Sequence, residues 1–132
     1  MKKIIIDTNF LMIPYKFIVD IFSEFNRVCN FNYKLFIFEQ SIKELENIIE
    51  KQSGKNKKAA QFALKLIKLK NIDVLKSEQK DVDSLILDSL SKDTIIATQD
   101  ILLKKELLKK GASVIILRQK KYLEFVKNHN YR

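Results

Sequence analysis

Four carboxylates follow strand-like apolar runs at widely separated points in this sequence. Asp7 comes after Ile4-Ile5-Ile6, Glu44 after Lys34–Phe38, Asp83 after Ile72–Leu75, and Asp100 after Thr94–Gln99. Carboxylates offer hard oxygen donors, so a cluster of them suits Mg²⁺ or Mn²⁺. Gathering four negative groups without a cation would cost several kcal/mol in repulsion and desolvation. Each acid also has an ordinary alternative. Capping and the helix dipole favour acids near helix N-termini, which accounts for Asp83 and Asp100 taken singly. Glu44 lies three residues after Ser41, the spacing of a capping box. Asp81 reads as an N-cap and is left out of the site. Asp7 is hardest to explain away, because an acid capping a buried strand is costly without a partner. The other reactive side chains add little. His129, the one histidine, lies among polar residues near the C-terminus with no nucleophile placed to use it. Cys29 falls on an apolar stripe and reads as core. No GxxxxGK[ST] or GxGxxG segment occurs, so a glycine loop cradling phosphate is excluded.

The elements that must position these acids are legible in the hydrophobic spacing. Lys3–Ile6 predicts a buried strand. Pro14 stands near the start of a helical pattern, and Phe17, Ile18, Ile21, Phe22, Phe25, Val28 and Cys29 predict one amphipathic helix. Lys34–Phe38 predicts a second strand. Ser41 then opens a helix with Ile42, Leu45 and Ile49 inward. Ser53-Gly54-Lys55-Asn56 reads as a break, and Ala59, Phe62, Ala63, Leu66 and Ile67 as the next helix. Ile72–Leu75 predicts a third strand, followed by a helix from Asp81 to about Ser91 with Val82, Leu85, Ile86 and Leu90 inward. Thr94–Thr98 predicts a strand, Ile101–Lys110 a helix ended by Gly111, and Ser113–Leu117 a last strand. No repeat or linker interrupts the series, so residues 1–132 are expected to form a single domain. Strands alternating with helices predict an α/β fold, a three-layer α/β/α sandwich around a central parallel sheet. Ligands of such sheets bind beyond the carboxyl ends of the strands, near the switch in strand order. All four acids fall at that edge.

Charge points to a partner of opposite sign. The 132 residues carry 25 Lys and Arg against 16 Asp and Glu, a net charge of +9. Residues 51–70 hold seven lysines and no acid, and residues 101–121 contribute a further +6, which leaves the rest of the chain at −4. Cationic segments thus flank an acidic remainder, and an anionic ligand is expected. One cysteine excludes a disulfide framework and a Cys-based zinc site, and it fits a reducing compartment. The apolar runs fall short of the ~20 residues that cross a bilayer, and Asp7 ends the first of them too early for a signal peptide. A soluble cytoplasmic protein that makes no use of a membrane is therefore expected.

The order Ile-Ile-Ile-Asp7-Thr8-Asn9-Phe10-Leu11, Glu44-Leu45, Val82-Asp83-Ser84 and Ala97-Thr98-Gln99-Asp100 resembles the PIN-domain nuclease family over essentially the whole chain. The run from Val114 to Leu123 is similar to that of a small archaeal branch of stand-alone PIN proteins. That branch is akin to VapC-like toxins and to PIN proteins of small-subunit ribosome biogenesis. The resemblance implies an endoribonuclease that hydrolyses RNA with Mg²⁺ or Mn²⁺, either in RNA processing or as a toxin-type ribonuclease. It implies that Asp7, Glu44, Asp83 and Asp100 are the catalytic and metal-holding acids, supported by Thr8, Asn9 and Thr98. Two departures stand out. Val82-Asp83 replaces a frequent pair of adjacent acids, which weakens the case for a second metal, and Gln99 replaces a frequent Asn or Gly.

RNA, expected to be single-stranded, would be gripped by Lys55, Lys57, Lys58, Lys104, Lys105, Arg118, Lys120 and Lys121. Tyr122 offers a ring for base stacking, although packing is its simpler role. A homodimer, an antitoxin and a ribosomal assembly partner are all compatible with the resemblance, and no sequence feature selects among them. Two rival readings compete with this one. A response-regulator receiver would need an acidic pair after the first strand and a phosphorylatable Asp after a middle one, whereas here Thr8 follows Asp7. A non-catalytic RNA-binding or assembly protein on the same fold, with a vestigial metal site, is the stronger rival.

Overall fold

A computed structural model describes residues 1–127. His129 lies outside the described residues. Six strands form one sheet in the order β3-β2-β1-β4-β5-β6. They are β1 (Lys2–Ile6), β2 (Tyr33–Phe38), β3 (Asp73–Leu75), β4 (Thr94–Ala97), β5 (Ser113–Arg118) and β6 (Tyr122–Val126). The first five are parallel, and β6 runs antiparallel along β5. The helices are α1 (Ile13–Phe17), α2 (Ile21–Val28), α3 (Glu39–Lys51), α4 (Gly54–Leu69), α5 (Val82–Asp88) and α6 (Ile101–Lys109), with a 3₁₀ turn over Thr8–Met12.

The central strand shows why the layers number three. A parallel strand covered on both faces reads as an unbroken apolar run. Ile4 and Ile6 pack into the core shared with Phe10, Phe25, Leu45 and Ala63, while Ile5 faces Leu85, Ile86, Leu103 and Leu107. All three isoleucines are buried, each contributing about 1.5–3 kcal/mol. Helices α1–α4 therefore cover one face, and α5 and α6 the other. Buried Ala59, Ala60 and Ala63 let α4 lie close against its neighbours α3 and α1. Cys29 is buried in the larger core, and burial pushes its thiol up to about 11, which makes it inert.

Four expectations need correction. The single helix through Phe17–Cys29 is two helices, because Ile18 adopts a left-handed φ of 55° and ends α1. Asp20 then starts α2 afresh, its carboxylate accepting from the N–H groups of Phe22 and Ser23. Ser41 does not open α3. That helix begins at Glu39 without a side-chain cap, so Ser41 sits inside it and the capping box with Glu44 does not form. The break before α4 is shorter than expected, because Gly54 is already its first residue. Finally, Ser113–Arg118 is not the last strand. Gln119 and Lys120 both take positive φ (52° and 56°), and Lys121 N–H closes the turn on Arg118 C=O at 2.9 Å, returning the chain as β6.

The outer edge of β6 is not left open. Leu123 N–H donates to Glu24 Oε1 at 2.8 Å, and Arg27 Nη2 donates to Leu123 C=O at 2.7 Å. Glu24 and Arg27 also pair with each other at 2.9 Å. Two residues of α2 thus occupy both backbone groups that Leu123 presents outward. Among the described residues, no helix is long and apolar enough to cross a membrane.

Candidate functional site

The strand order reverses direction at β1, which has β2 on one side and β4 on the other. Asp7 is the first residue past β1, and its N–H still bonds Ala97 C=O at 2.9 Å, which fixes it at the switch point between β1 and β4. Both its carboxylate oxygens are engaged. Oδ1 accepts from Thr8 N–H at 2.8 Å and caps the 3₁₀ turn. Oδ2 accepts from the Thr98 hydroxyl at 2.8 Å. Thr98 Oγ1 in turn accepts from Asp100 N–H at 3.0 Å, and Asp100 Oδ1 caps α6 by accepting from Leu103 N–H at 3.0 Å. A fully buried threonine therefore joins the ends of β1 and β4 and orients both acids.

The Asp7 side chain keeps little water, with 7% of its surface exposed. Desolvation raises its carboxyl above the ordinary 3.8, against the hydrogen bonds from Thr98 and Thr8, and the charges of Glu44 and Asp100 raise it further. Glu44 reaches the same place from α3. Its Oε1 accepts from the Thr8 hydroxyl at 2.5 Å, and that hydroxyl also lies 2.8 Å from buried Ser41 Oγ. Asp83 stands in the first turn of α5 with much of its surface facing solvent. Partial desolvation raises it too, followed by the charges of Asp7 and Asp100. These couplings link all four acids in one electrostatic neighbourhood at the carboxyl edge of the sheet. Among the described residues, no group of three or more His, Cys, Asp or Glu side chains is arranged to hold a metal ion. In donor chemistry the four suit a hard divalent cation; as they stand, they do not converge on one point.

The supporting residues divide. Thr8 and Thr98 are buried and bonded to the acids as described. Asn9 is exposed, and its backbone carbonyl, rather than its amide, is engaged by Gln99 Nε2 at 3.2 Å. Gln99, taken from sequence only as a departure, straps the end of β4 to the 3₁₀ turn. Ser41 was missed as a site residue because its spacing to Glu44 suggested a cap, and no sequence signal marks a buried serine that reaches another element. Asp81 does act as a cap, accepting from Ser84 N–H at 3.0 Å.

The basic residues are distributed around this edge with different degrees of freedom. Lys55, Lys57 and Lys58 occupy the start of α4, before its first buried residue Ala59, at the tip of the α3–α4 hairpin. Further along, α4 packs against the 3₁₀ turn that follows Asp7. Lys104 and Lys105 follow the Asp100 cap on α6. Arg118, at the carboxyl end of β5, is paired with Glu124. Lys120 Nζ lies 5.7 Å over the Phe17 ring, and Lys121 is exposed beside it. Tyr122 is partly exposed at the start of β6, opposite Arg118.

This fold, with acids at the switch point of a mostly parallel sheet, is that of a known domain class. The chain belongs to the PIN like domain family, which it matches over residues 4–120. Ribonuclease VapC4 of Methanocaldococcus jannaschii is 32% identical over 126 residues, covering 94% of this chain and 96% of the relative. Ribonuclease VapC9 of Archaeoglobus fulgidus is 33% identical over 118 residues, covering 89% and 84%. The PIN domain endonuclease Utp24 shares the fold, with a TM-score of 0.77 at 20% identity over 93% of this chain and 90% of that one.

Proposed function

We propose that this protein is a divalent-metal-dependent endoribonuclease that hydrolyses phosphodiester bonds of single-stranded RNA, in RNA processing or as a toxin-type ribonuclease. The observation that carries the reading is Asp7, buried at the switch point, held by Thr98 and Thr8, and coupled in charge to Glu44 and Asp100. A buried carboxylate that is kept ionisable beside other acids suits cation binding better than it suits folding. Two relatives of matching length that are named ribonucleases support the same reaction.

Asp7, Asp83 and Asp100 would hold Mg²⁺ or Mn²⁺, and Glu44 would share a ligand or orient the attacking water. A cation so held supplies a Lewis acid that lowers the pKa of water and offsets charge on the scissile phosphate. The protein's own part is placement. Thr98 sets the direction of the Asp7 carboxylate and, through the Asp100 N–H, the start of α6. Thr8 fixes Asp7 through its N–H and Glu44 through its hydroxyl. Water attack in line with the leaving 3′ oxygen yields a 5′ phosphate and a 3′ hydroxyl, with no side-chain nucleophile. Lys55, Lys57, Lys58, Lys104, Lys105 and Lys121, which form no ion pair among the described residues, would meet backbone phosphates, while Arg118 and Lys120 would first give up Glu124 and Phe17.

The test is cleavage of a labelled single-stranded RNA in Mn²⁺ or Mg²⁺ by the wild type and by Asp7→Asn. The wild type should cut and the folded variant should not. Equal cleavage by both, at matched purity, overturns the assignment. Tight RNA binding without cleavage under either ion would instead establish the non-catalytic RNA-binding protein.

A further inference from the structure

Ser41 is fully buried inside α3, one turn before Glu44, and has no capping duty there. A serine in a helix interior ordinarily turns back to its own helix or out to water. Ser41 instead crosses to the 3₁₀ turn after β1, where Thr8 Oγ1 lies 2.8 Å away. The same Thr8 oxygen lies 2.5 Å from Glu44 Oε1. A threonine hydroxyl has one proton and two lone pairs, and a carboxylate only accepts. The charged acceptor makes the stronger bond, so the Thr8 proton goes to Glu44. The remaining contact is then satisfied by the Ser41 proton entering a Thr8 lone pair. The chain of bonds acquires one direction, from Ser41 to Thr8 to Glu44.

We propose that Ser41 is a positioning residue for Glu44. Its hydroxyl, donating into a Thr8 lone pair, holds the Thr8 rotamer that presents its proton to Glu44 Oε1. Thr8 anchors Asp7 through its N–H as well, so locking this one side chain sets the spacing of two acids delivered by different elements. Ser41 touches neither substrate nor ion; it acts through Thr8. The role rests on the endoribonuclease reading for its catalytic consequence, but its geometric consequence is independent of it.

A double-mutant cycle of Ser41→Ala and Thr8→Val tests the proposal. Ser41→Ala should lower kcat about tenfold with KM changed less than about twofold, the mark of lost alignment rather than lost binding. Added to Thr8→Val, which removes the hydroxyl with little change of shape, Ser41→Ala should cost nothing more. Independent losses that multiply, or wild-type kcat in Ser41→Ala, overturn it. A crystal structure of Ser41→Ala gives a readout without turnover. Glu44 should leave Thr8 while the Asp7–Thr98 bond persists, and an unmoved Glu44 overturns the proposal. If the wild type cleaves no RNA, the ribonuclease reading fails, and the crystallographic result still decides what Ser41 does.

Discussion

Thr98 gives its hydroxyl proton to Asp7 Oδ2 at 2.8 Å, although 91 positions separate the two in the chain. The bond ties the first parallel strand to its neighbour at the point where the sheet changes direction. It also partly offsets the cost of burying a carboxylate there, since it favours the ionised form against desolvation and against the charges of Glu44 and Asp100. The net effect on Asp7 is still a raised pKa. An acid whose folded pKa lies above its unfolded value destabilises the folded state once it ionises.

Asp7→Asn is therefore expected to be more stable than the wild type as well as inactive. The gain should be about 1 kcal/mol at neutral pH, or roughly 4 °C in melting temperature. Sign and window follow from the direction of the shift. The wild type recovers its loss as pH falls through the raised Asp7 pKa toward the ordinary 3.8, so the difference between the two should shrink there. Thermal melts of both proteins across the acid range measure this. A variant less stable than the wild type at pH 7 would mean that the Thr98 bond outweighs desolvation.

Glu24 behaves in the opposite sense. The hydrogen bond from Arg27, and after it the Leu123 N–H, hold its carboxyl below the ordinary 4.5, against some desolvation. Its contribution is present above that value and is lost as pH falls through the lowered pKa. Glu24→Ala should cost about 1–2 kcal/mol at pH 7, because Leu123 N–H loses its acceptor. Hydrogen exchange should accelerate at Leu123 and its neighbours in β6 before it does so in β1. Unchanged protection of Leu123 would show that the contact does not hold the strand.

Lys57→Ala combined with Lys58→Ala probes the hairpin tip. Each phosphate contact to a single strand contributes about 0.7 to the slope of log affinity against log salt, so the pair should flatten it by about 1.4. Fluorescence anisotropy with one RNA over a salt series reads the slope directly. An identical slope removes α4 from the binding surface and leaves the load to Lys104, Lys105 and Lys121.

Local spacing makes the alternation of strands and helices, the buried isoleucines of β1 and the strand-end position of Asp7 readable in the sequence. What escaped depended on backbone states or distant partners. Ile18 is a β-branched residue in a left-handed conformation, which nothing in its side chain advertises. Gln119-Lys120 make a turn that would normally be flagged by Asn or Gly, so β6 was invisible. Ser41 carried a true local signal, three residues before a glutamate, that the tertiary contact with Thr8 overrode. The four acids were legible as a set because each follows a strand; their incomplete convergence was not, since it is decided by side-chain geometry.

The grip of Glu24 and Arg27 on Leu123 has a further consequence, for life at high concentration. An edge strand with free backbone groups is a template on which a second molecule can add its own strand. Here such templating is hindered at Leu123, because an incoming chain would have to displace Glu24 and Arg27 from its backbone. The opposite edge is β3, only three residues long and opening with the exposed charge of Asp73. Strand addition is thus discouraged at both flanks of the sheet.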